Sequence, residues 1–121
     1  MALNIVFVDG DVEFIRSILP ESTGIKAEFF TCAEDALTYL AKNKVKIVVT
    51  DLPLPDMGGV AFLRIVQNCY PNTFRVVLSA LEARDEEALS AFRDRTIEQW
   101  FYKAPDMTEF LSYLRQFISD F

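Results

Sequence analysis

Three acids and one lysine stand at positions in this sequence where chemistry would be expected. Asp51 ends the run Lys46-Ile47-Val48-Val49-Thr50-Asp51, a β-type apolar stretch that then turns into Leu52-Pro53-Leu54-Pro55-Asp56-Met57-Gly58-Gly59. Asp9 and Asp11 follow an earlier apolar run in the same way, and Lys103 follows a late one. Open α/β sheets place ligands at the C-terminal ends of their strands. Two carboxylates about 4 Å apart repel by roughly 4 kcal/mol at an effective dielectric near 20, so stability alone does not favour gathering them. A hard divalent cation such as Mg²⁺ would relieve that repulsion, because it takes carboxylate oxygens and keeps several waters. It would also offset charge on a phosphoryl group in transfer. The pattern points to an aspartate that accepts a phosphoryl group beside a cation. The plainer alternative is that strand-end aspartates cap loops or helices, as Asp11 could for the helix after it.

The elements that must position these groups alternate strand and helix five times. Leu3–Val8 is a short, nearly continuous apolar run, the pattern of a central parallel strand covered on both faces. Asp11–Leu19 reads as a helix, with Val12, Ile15 and Leu19 along one stripe and Pro20 beyond it. Ile25–Phe30 is a second strand. Thr31-Cys32-Ala33-Glu34 has the form of a capping box and opens a helix with Ala36, Leu37 and Leu40 inward. Val45–Thr50 is the third strand, Val60–Asn68 a helix that Tyr70-Pro71-Asn72 stops, and Phe74–Ser79 the fourth strand. Ala83–Arg93 is a weak, polar helix, Gln99–Tyr102 a fifth strand, and Asp106–Asp120 a last helix. Asp106-Met107-Thr108-Glu109 suits its N-terminal cap, and Phe110, Leu111, Leu114, Phe117, Ile118 and Phe121 form its apolar face. Alternation without hairpin signals implies right-handed βαβ units and a doubly wound parallel sheet. In such a sheet the tips of strands one and three are neighbours at the switch point, so Asp9, Asp11 and Asp51 can converge.

Composition removes several function classes. The 121 residues, 51% apolar, suffice for one domain that needs no disulfide or structural metal. There is no histidine, and Cys32 and Cys69 show no CxxC spacing, which excludes the usual Cys/His zinc sites and histidine-based acid/base catalysis. Both cysteines are expected to be buried, reduced thiols. A net charge of −6 and a pI near 4.6 argue against direct nucleic-acid binding. No apolar stretch approaches the length of a membrane span, and Met1-Ala2-Leu3-Asn4 leads straight into a strand without a signal peptide, so a cytoplasmic location is expected.

Taken together, Ile5-Val6-Phe7-Val8-Asp9, Val48 through Gly59, Val76-Val77-Leu78-Ser79-Ala80 and Phe101-Tyr102-Lys103 resemble a response-regulator receiver domain, over essentially residues 1–121. The resemblance implies a single domain with a flavodoxin-like (βα)5 sandwich and a five-stranded parallel sheet in order 2-1-3-4-5. It implies Asp51 as phosphoacceptor, Asp9 in the acidic pocket, and the Pro53 backbone carbonyl as a ligand of Mg²⁺. Ser79 would hydrogen-bond the phosphoryl group, Lys103 would pair with it, and Ala80 leaves room beside the site. Trp100 holds the place of the family's aromatic switch: it would follow Ser79 inward and reshape the face of the fourth helix, fifth strand and fifth helix. The implied donor is a histidine kinase or phosphotransfer protein, and the implied recipient a downstream protein at that face, which any homodimer would also use. The implied role is signalling, with no enzymatic activity beyond slow loss of its own phosphate.

Two positions depart from the family's pattern. Receivers usually carry two consecutive acids after the first strand, whereas this chain has Asp9-Gly10-Asp11. Either Asp11 reaches around through Gly10, or water replaces the lost ligand, or Mg²⁺ binds weakly; weakened affinity with phosphorylation retained is the favoured expectation. The second departure is Lys103-Ala104-Pro105, where proline usually follows the lysine directly, and an Ala-Pro bond can be cis. A pseudo-receiver that signals without phosphorylation is the main alternative. A haloacid-dehalogenase-like phosphatase is the lesser one, with Asp9 of Asp9-Gly10-Asp11 as nucleophile and Asp11 as acid/base.

Overall fold

Alternating side chains on each strand dictate a sheet with two apolar faces. In the computed structural model, which describes residues 3–19, 24–80 and 86–118, five strands form one parallel sheet in the order β2-β1-β3-β4-β5. They are β1 (Leu3–Val8), β2 (Ile25–Phe30), β3 (Ile47–Thr50), β4 (Phe74–Ser79) and β5 (Gln99–Tyr102). The helices between and after them are α1 (Val12–Ile18), α2 (Ala33–Leu40), α3 (Gly59–Cys69), α4 (Glu86–Arg93) and α5 (Thr108–Ile118). Ile5, Phe7, Ile47, Val49, Val76 and Leu78 pack on one face against Ile15 of α1 and Phe110 and Leu114 of α5. Their sequence neighbours Val6, Val8, Val48 and Val77 point the other way, onto Ala36, Phe62, Leu63, Val66, Ala88 and Ala91 of α2, α3 and α4. The central strands are therefore nearly continuous apolar runs, broken only by Asn4 in β1, Thr50 at the end of β3, and Arg75 and Ser79 in β4, because both faces are covered. The doubly wound reading and the strand order expected above agree with this topology.

The ladder runs one residue past the strand ends, and that continuation places the chemistry. The Asp9 amide donates to the Phe30 carbonyl, the Asp51 amide to Val8 and the Lys103 amide to Ser79, each at 3.0 Å. Asp9, Asp51 and Lys103 thus leave the sheet from fixed points on the same C-terminal edge. β1 and β3 lie side by side there with Val8 opposite Thr50, while the chain crosses from β1 to β2 in the opposite direction.

Several boundaries and caps differ from expectation. β3 begins at Ile47 rather than Val45, although Lys46 still bonds to Asn4 and Phe74 in the manner of a ladder. The first residues expected in the fourth helix (83–85), the end of the last (119–120), Pro20 and Phe121 lie outside the described residues. Thr31 does not cap α2. Its N-cap is Cys32, which makes no side-chain cap bond, and the Ala33 and Glu34 amides donate instead to Asp56, at 3.0 and 2.8 Å. The cysteines are free but not buried as expected: Cys32 is half-buried at that cap, and Cys69, last in α3, is exposed. Asp106 does accept from the Thr108 amide at the start of α5, and no described peptide bond is cis.

One glycine is demanded by space. A Cβ at Gly59 would collide with the Asp51 carbonyl oxygen and come within 3.0 Å of the Leu52 Cα, so only glycine lets α3 start this close to Asp51. Gly58, the N-cap before it, has open space at the same atom and a φ of −70°. Gly59→Ala should therefore cost about 1–3 kcal/mol by overpacking, and Gly58→Ala about 0.5 kcal/mol, as read from urea denaturation of the two variants.

Candidate functional site

The site forms where β1, β3 and the segment after β5 end. The Lys103 ammonium lies 3.0 Å from Asp9 Oδ1 and 2.8 Å from Asp9 Oδ2, and its third close oxygen is Asp51 Oδ2 at 3.1 Å. Asp9 is buried at 4% exposure, and its Oδ1 also accepts from the Asp11 amide at 2.8 Å. The Asp51 side chain is 14% exposed, and its Oδ1 accepts from the Leu52 amide at 2.8 Å. One Asp51 oxygen thus faces the ammonium while the other is held by its own loop. The Phe14 ring of α1 stands 5.7 Å from the ammonium. Burial of the Lys103 amine opposes its charge, but the hydrogen bonds and charges of Asp9 and Asp51 outweigh this and raise its pKa above the ordinary lysine value.

The other expected site residues are distributed unevenly around this pair. Asp11 stands apart, because its Oδ1 accepts from the Phe14 amide at 3.1 Å and caps α1. Gly10 is exposed, lies outside the left-handed region and has nothing within 4 Å of where a Cβ would stand. The residue therefore makes no use of glycine's freedom, and Asp11 is not turned back through it. Ser79 is fully buried at the tip of β4, opposite Tyr102. Pro53 is exposed on the loop after Asp51. Trp100 is half-buried on β5, with ring centroids 6.3 Å from Phe92 of α4 and 6.4 Å from Tyr102. Its indole Nε1 is buried, with no hydrogen-bond partner among the described residues.

Two contributors escaped the sequence reading. Phe14 covers the lysine, and Asp56 ties the loop after Asp51 to the start of α2. Those backbone donors, Ala33 foremost and then Glu34, hold the Asp56 carboxyl below its ordinary pKa. Phe14 lies within the segment read as the first helix but off the stripe of Val12, Ile15 and Leu19, and Asp56 had no local signal, because its partners lie 22 and 23 residues away.

For a divalent cation the donor set is reduced but of the right kind. Asp9 and Asp51 offer hard carboxylate oxygens, and Mg²⁺ is commonly held by one or two carboxylates with waters. Asp11 is committed elsewhere and Gly10 has no side chain. Among the described residues no three acidic, cysteine or histidine side chains are gathered closely enough to hold a metal ion. Among the described residues, no helix is long and apolar enough to cross a membrane.

The family model described as the response regulator receiver domain matches residues 8–115. The DNA-binding transcriptional regulator NtrC of Proteus hauseri is 26% identical over 119 residues, covering 96% of this chain but 25% of that protein. The chain thus spans about a quarter of the length of this curated relative. Among solved structures, the signal receiver domain of an HD domain-containing protein from Pseudomonas fluorescens Pf-5 superposes with a TM-score of 0.85 at 25% identity, covering 98% of this chain and 88% of that one. The response regulator protein TrrA of Thermotoga maritima, in complex with Mg²⁺-BeF, superposes at 0.80 with 18% identity, covering 96% and 98%.

Lys103 carries a further expectation. Stability tied to its raised pKa is present in full below the unfolded-chain value of about 10.4. It is lost as pH rises through the higher folded value. Lys103→Met leaves Asp9 and Asp51 without their counter-charge and should cost about 3 kcal/mol at neutral pH. Urea denaturation across a pH series should show an alkaline loss in the wild type that the variant lacks.

Proposed function

The chain belongs to the response-regulator receiver domain family, and on that premise we propose that Asp51 accepts a phosphoryl group from a partner histidine kinase or phosphotransfer protein. Membership of that family classes the chain as a receiver domain rather than a catalytic enzyme domain, and the phosphatase reading falls with it. The geometry opposes that reading too, since Asp9 is buried under Lys103 and Asp11 is spent as a helix cap. The single observation that carries the proposal is the Lys103 ammonium held between Asp9 and Asp51 at the strand tips.

In this reading an Asp51 carboxylate oxygen attacks the donor's phosphorus. The new O–P bond forms as the donor's P–N bond breaks, and the electron pair leaves with the donor's imidazole nitrogen. Oδ2 faces the ammonium, so Lys103 can move with the charge from carboxylate to acyl phosphate. Asp9 keeps the lysine at the site. Ser79, buried at the neighbouring strand tip, offers a hydroxyl to a phosphoryl oxygen. Mg²⁺ would be held by Asp9, Asp51 and the Pro53 carbonyl, and its contribution when bound is to offset phosphoryl charge. The Mg²⁺-BeF complex of the Thermotoga maritima relative supports such a site here, with affinity lowered by the missing acid at Gly10.

Acceptance adds about two negative charges and can shift a two-state equilibrium. Trp100 is suited to report it. A buried N–H with no acceptor among the described residues is costly, so its present rotamer is weakly held. Phe92 and Tyr102 beside it are 44% and 49% exposed. Movement of Trp100 would redraw the α4–β5–α5 face, to which a downstream protein would bind.

Incubation with a small acyl-phosphate donor and Mg²⁺ should place one label on Asp51, as mapped by peptide mass spectrometry. Asp51→Asn should lose it entirely; label that persists in that variant sinks the assignment, and a wild type that takes none favours the phosphorylation-independent alternative. Because the space at Gly10 is open, Gly10→Asp should lower the half-saturating Mg²⁺ concentration about tenfold, or roughly 1.4 kcal/mol, with little change in thermal midpoint. Calorimetric titration of the two proteins with Mg²⁺ measures it.

A further inference from the structure

The loop between Asp51 and α3 is fastened at both ends, and the far fastening, Asp56 on α2, makes no direct contact with the Asp9–Lys103–Asp51 group. At the near end the Leu52 amide binds Asp51 Oδ1 and the Gly59 amide donates to the Leu52 carbonyl at 2.7 Å. Between them, Pro53 and Pro55 contribute no N–H with which the loop could hold its own shape. At the far end Asp56 reaches α2, with Oδ1 accepting from Ala33 and Oδ2 from Glu34. Oδ1 also accepts from its own neighbour, the Met57 amide, at 3.1 Å. These bonds close a frame from Asp51 through the loop to the start of α2.

α2 is open to this arrangement because it lacks a cap of its own. Cys32 has the extended conformation of an N-cap residue, with φ −140° and ψ 158°, but supplies no side-chain oxygen. The first amides of a helix need acceptors. Glu34 and Asp35 already bring two negative charges to that turn, so a third acid is admitted by the amides and the positive end of the helix dipole.

We propose that Asp56 is a positioning residue for phosphoryl acceptance: it clamps loop 52–58 to the start of α2 and so fixes the backbone that leads from the acceptor aspartate. This rests on the reading of Asp51 as acceptor. Asp56 itself touches neither Lys103 nor the Asp51 carboxylate, and it acts through the loop. In its absence the segment carrying Pro53 would swing on the Asp51–Gly59 end alone.

Two variants separate clamping from mere support of a helix. Asp56→Ala removes both the clamp and the cap of α2. Adding Cys32→Ser returns a cap from within the chain, because serine at an N-cap accepts from the following amides, but it does not return the clamp. Thermal midpoints, amide hydrogen exchange over residues 52–57 without metal, and the rate of Asp51 labelling are measured for wild type, D56A and C32S/D56A. The expected result is a lowered midpoint in D56A that C32S/D56A largely recovers. Both variants should show faster exchange in the loop and labelling slowed about tenfold, the lower end for lost supporting contacts at such sites. A double variant with wild-type exchange and labelling overturns the proposal, since Asp56 would then only stabilise α2. Faster exchange with unchanged labelling overturns it as well. If wild-type protein takes no label at Asp51, the acceptor reading itself fails and the clamp's role in it fails too, an outcome recognised from the wild type alone.

Discussion

An ammonium group shared by two carboxylates is the interaction on which the rest of this molecule turns. Asp9 and Asp51 at the tips of β1 and β3 would repel if left alone, and Lys103, arriving from beyond β5, holds contacts of 2.8–3.1 Å to both. No short segment could assemble that triad, because Lys103 is 94 residues from Asp9 and 52 from Asp51. It depends on a parallel sheet that ends its strands on one edge and on ladder bonds that carry register one residue past Val8, Thr50 and Tyr102. The sheet in turn depends on two apolar layers, one under α1 and α5 and the other under α2, α3 and α4. Stability and reactivity therefore meet at the same place.

Within the acidic loop after β1, two aspartates that look equivalent do different work. Asp9 is drawn inward by the lysine and fixed by the Asp11 amide, while Asp11 turns its carboxylate to the Phe14 amide. A helix start in need of an acceptor competes with the site for that side chain. Gly10 between them fills no steric need. The narrowed set of oxygens is thus a consequence of residue type at one position rather than of the fold.

Backbone constraint is concentrated in the segment from Asp51 to Gly59. Two prolines stiffen it, a glycine permits α3 to start against the Asp51 carbonyl, and Asp56 anchors it on α2. By contrast the face around β5 is loosely committed. Trp100 stacks on Phe92 and lies tilted beside Tyr102, both half-exposed, and its N–H is buried without an acceptor among the described residues. A constrained loop after Asp51 and an adaptable aromatic face would suit a phosphorylation-driven switch.

The alternation of continuous apolar runs with helical stripes was enough to specify five strands, five helices and a parallel sheet, because burial on two faces leaves an unbroken apolar run and burial on one face leaves a helical stripe. It also marked Asp9, Asp51 and Lys103, since each follows such a run, whereas Ser79 and Trp100 were assigned by resemblance to receiver domains. What residue order could not disclose was competition between partners distant in the chain. Thr31 and Glu34 had the form of a capping box, yet a carboxylate from another loop took the helix amides. Asp11 fitted both a cation site and a helix cap, and the nearest amide claimed it. Hydrogen-bonding groups choose among all acceptors within about 3 Å, and only the folded chain decides which those are.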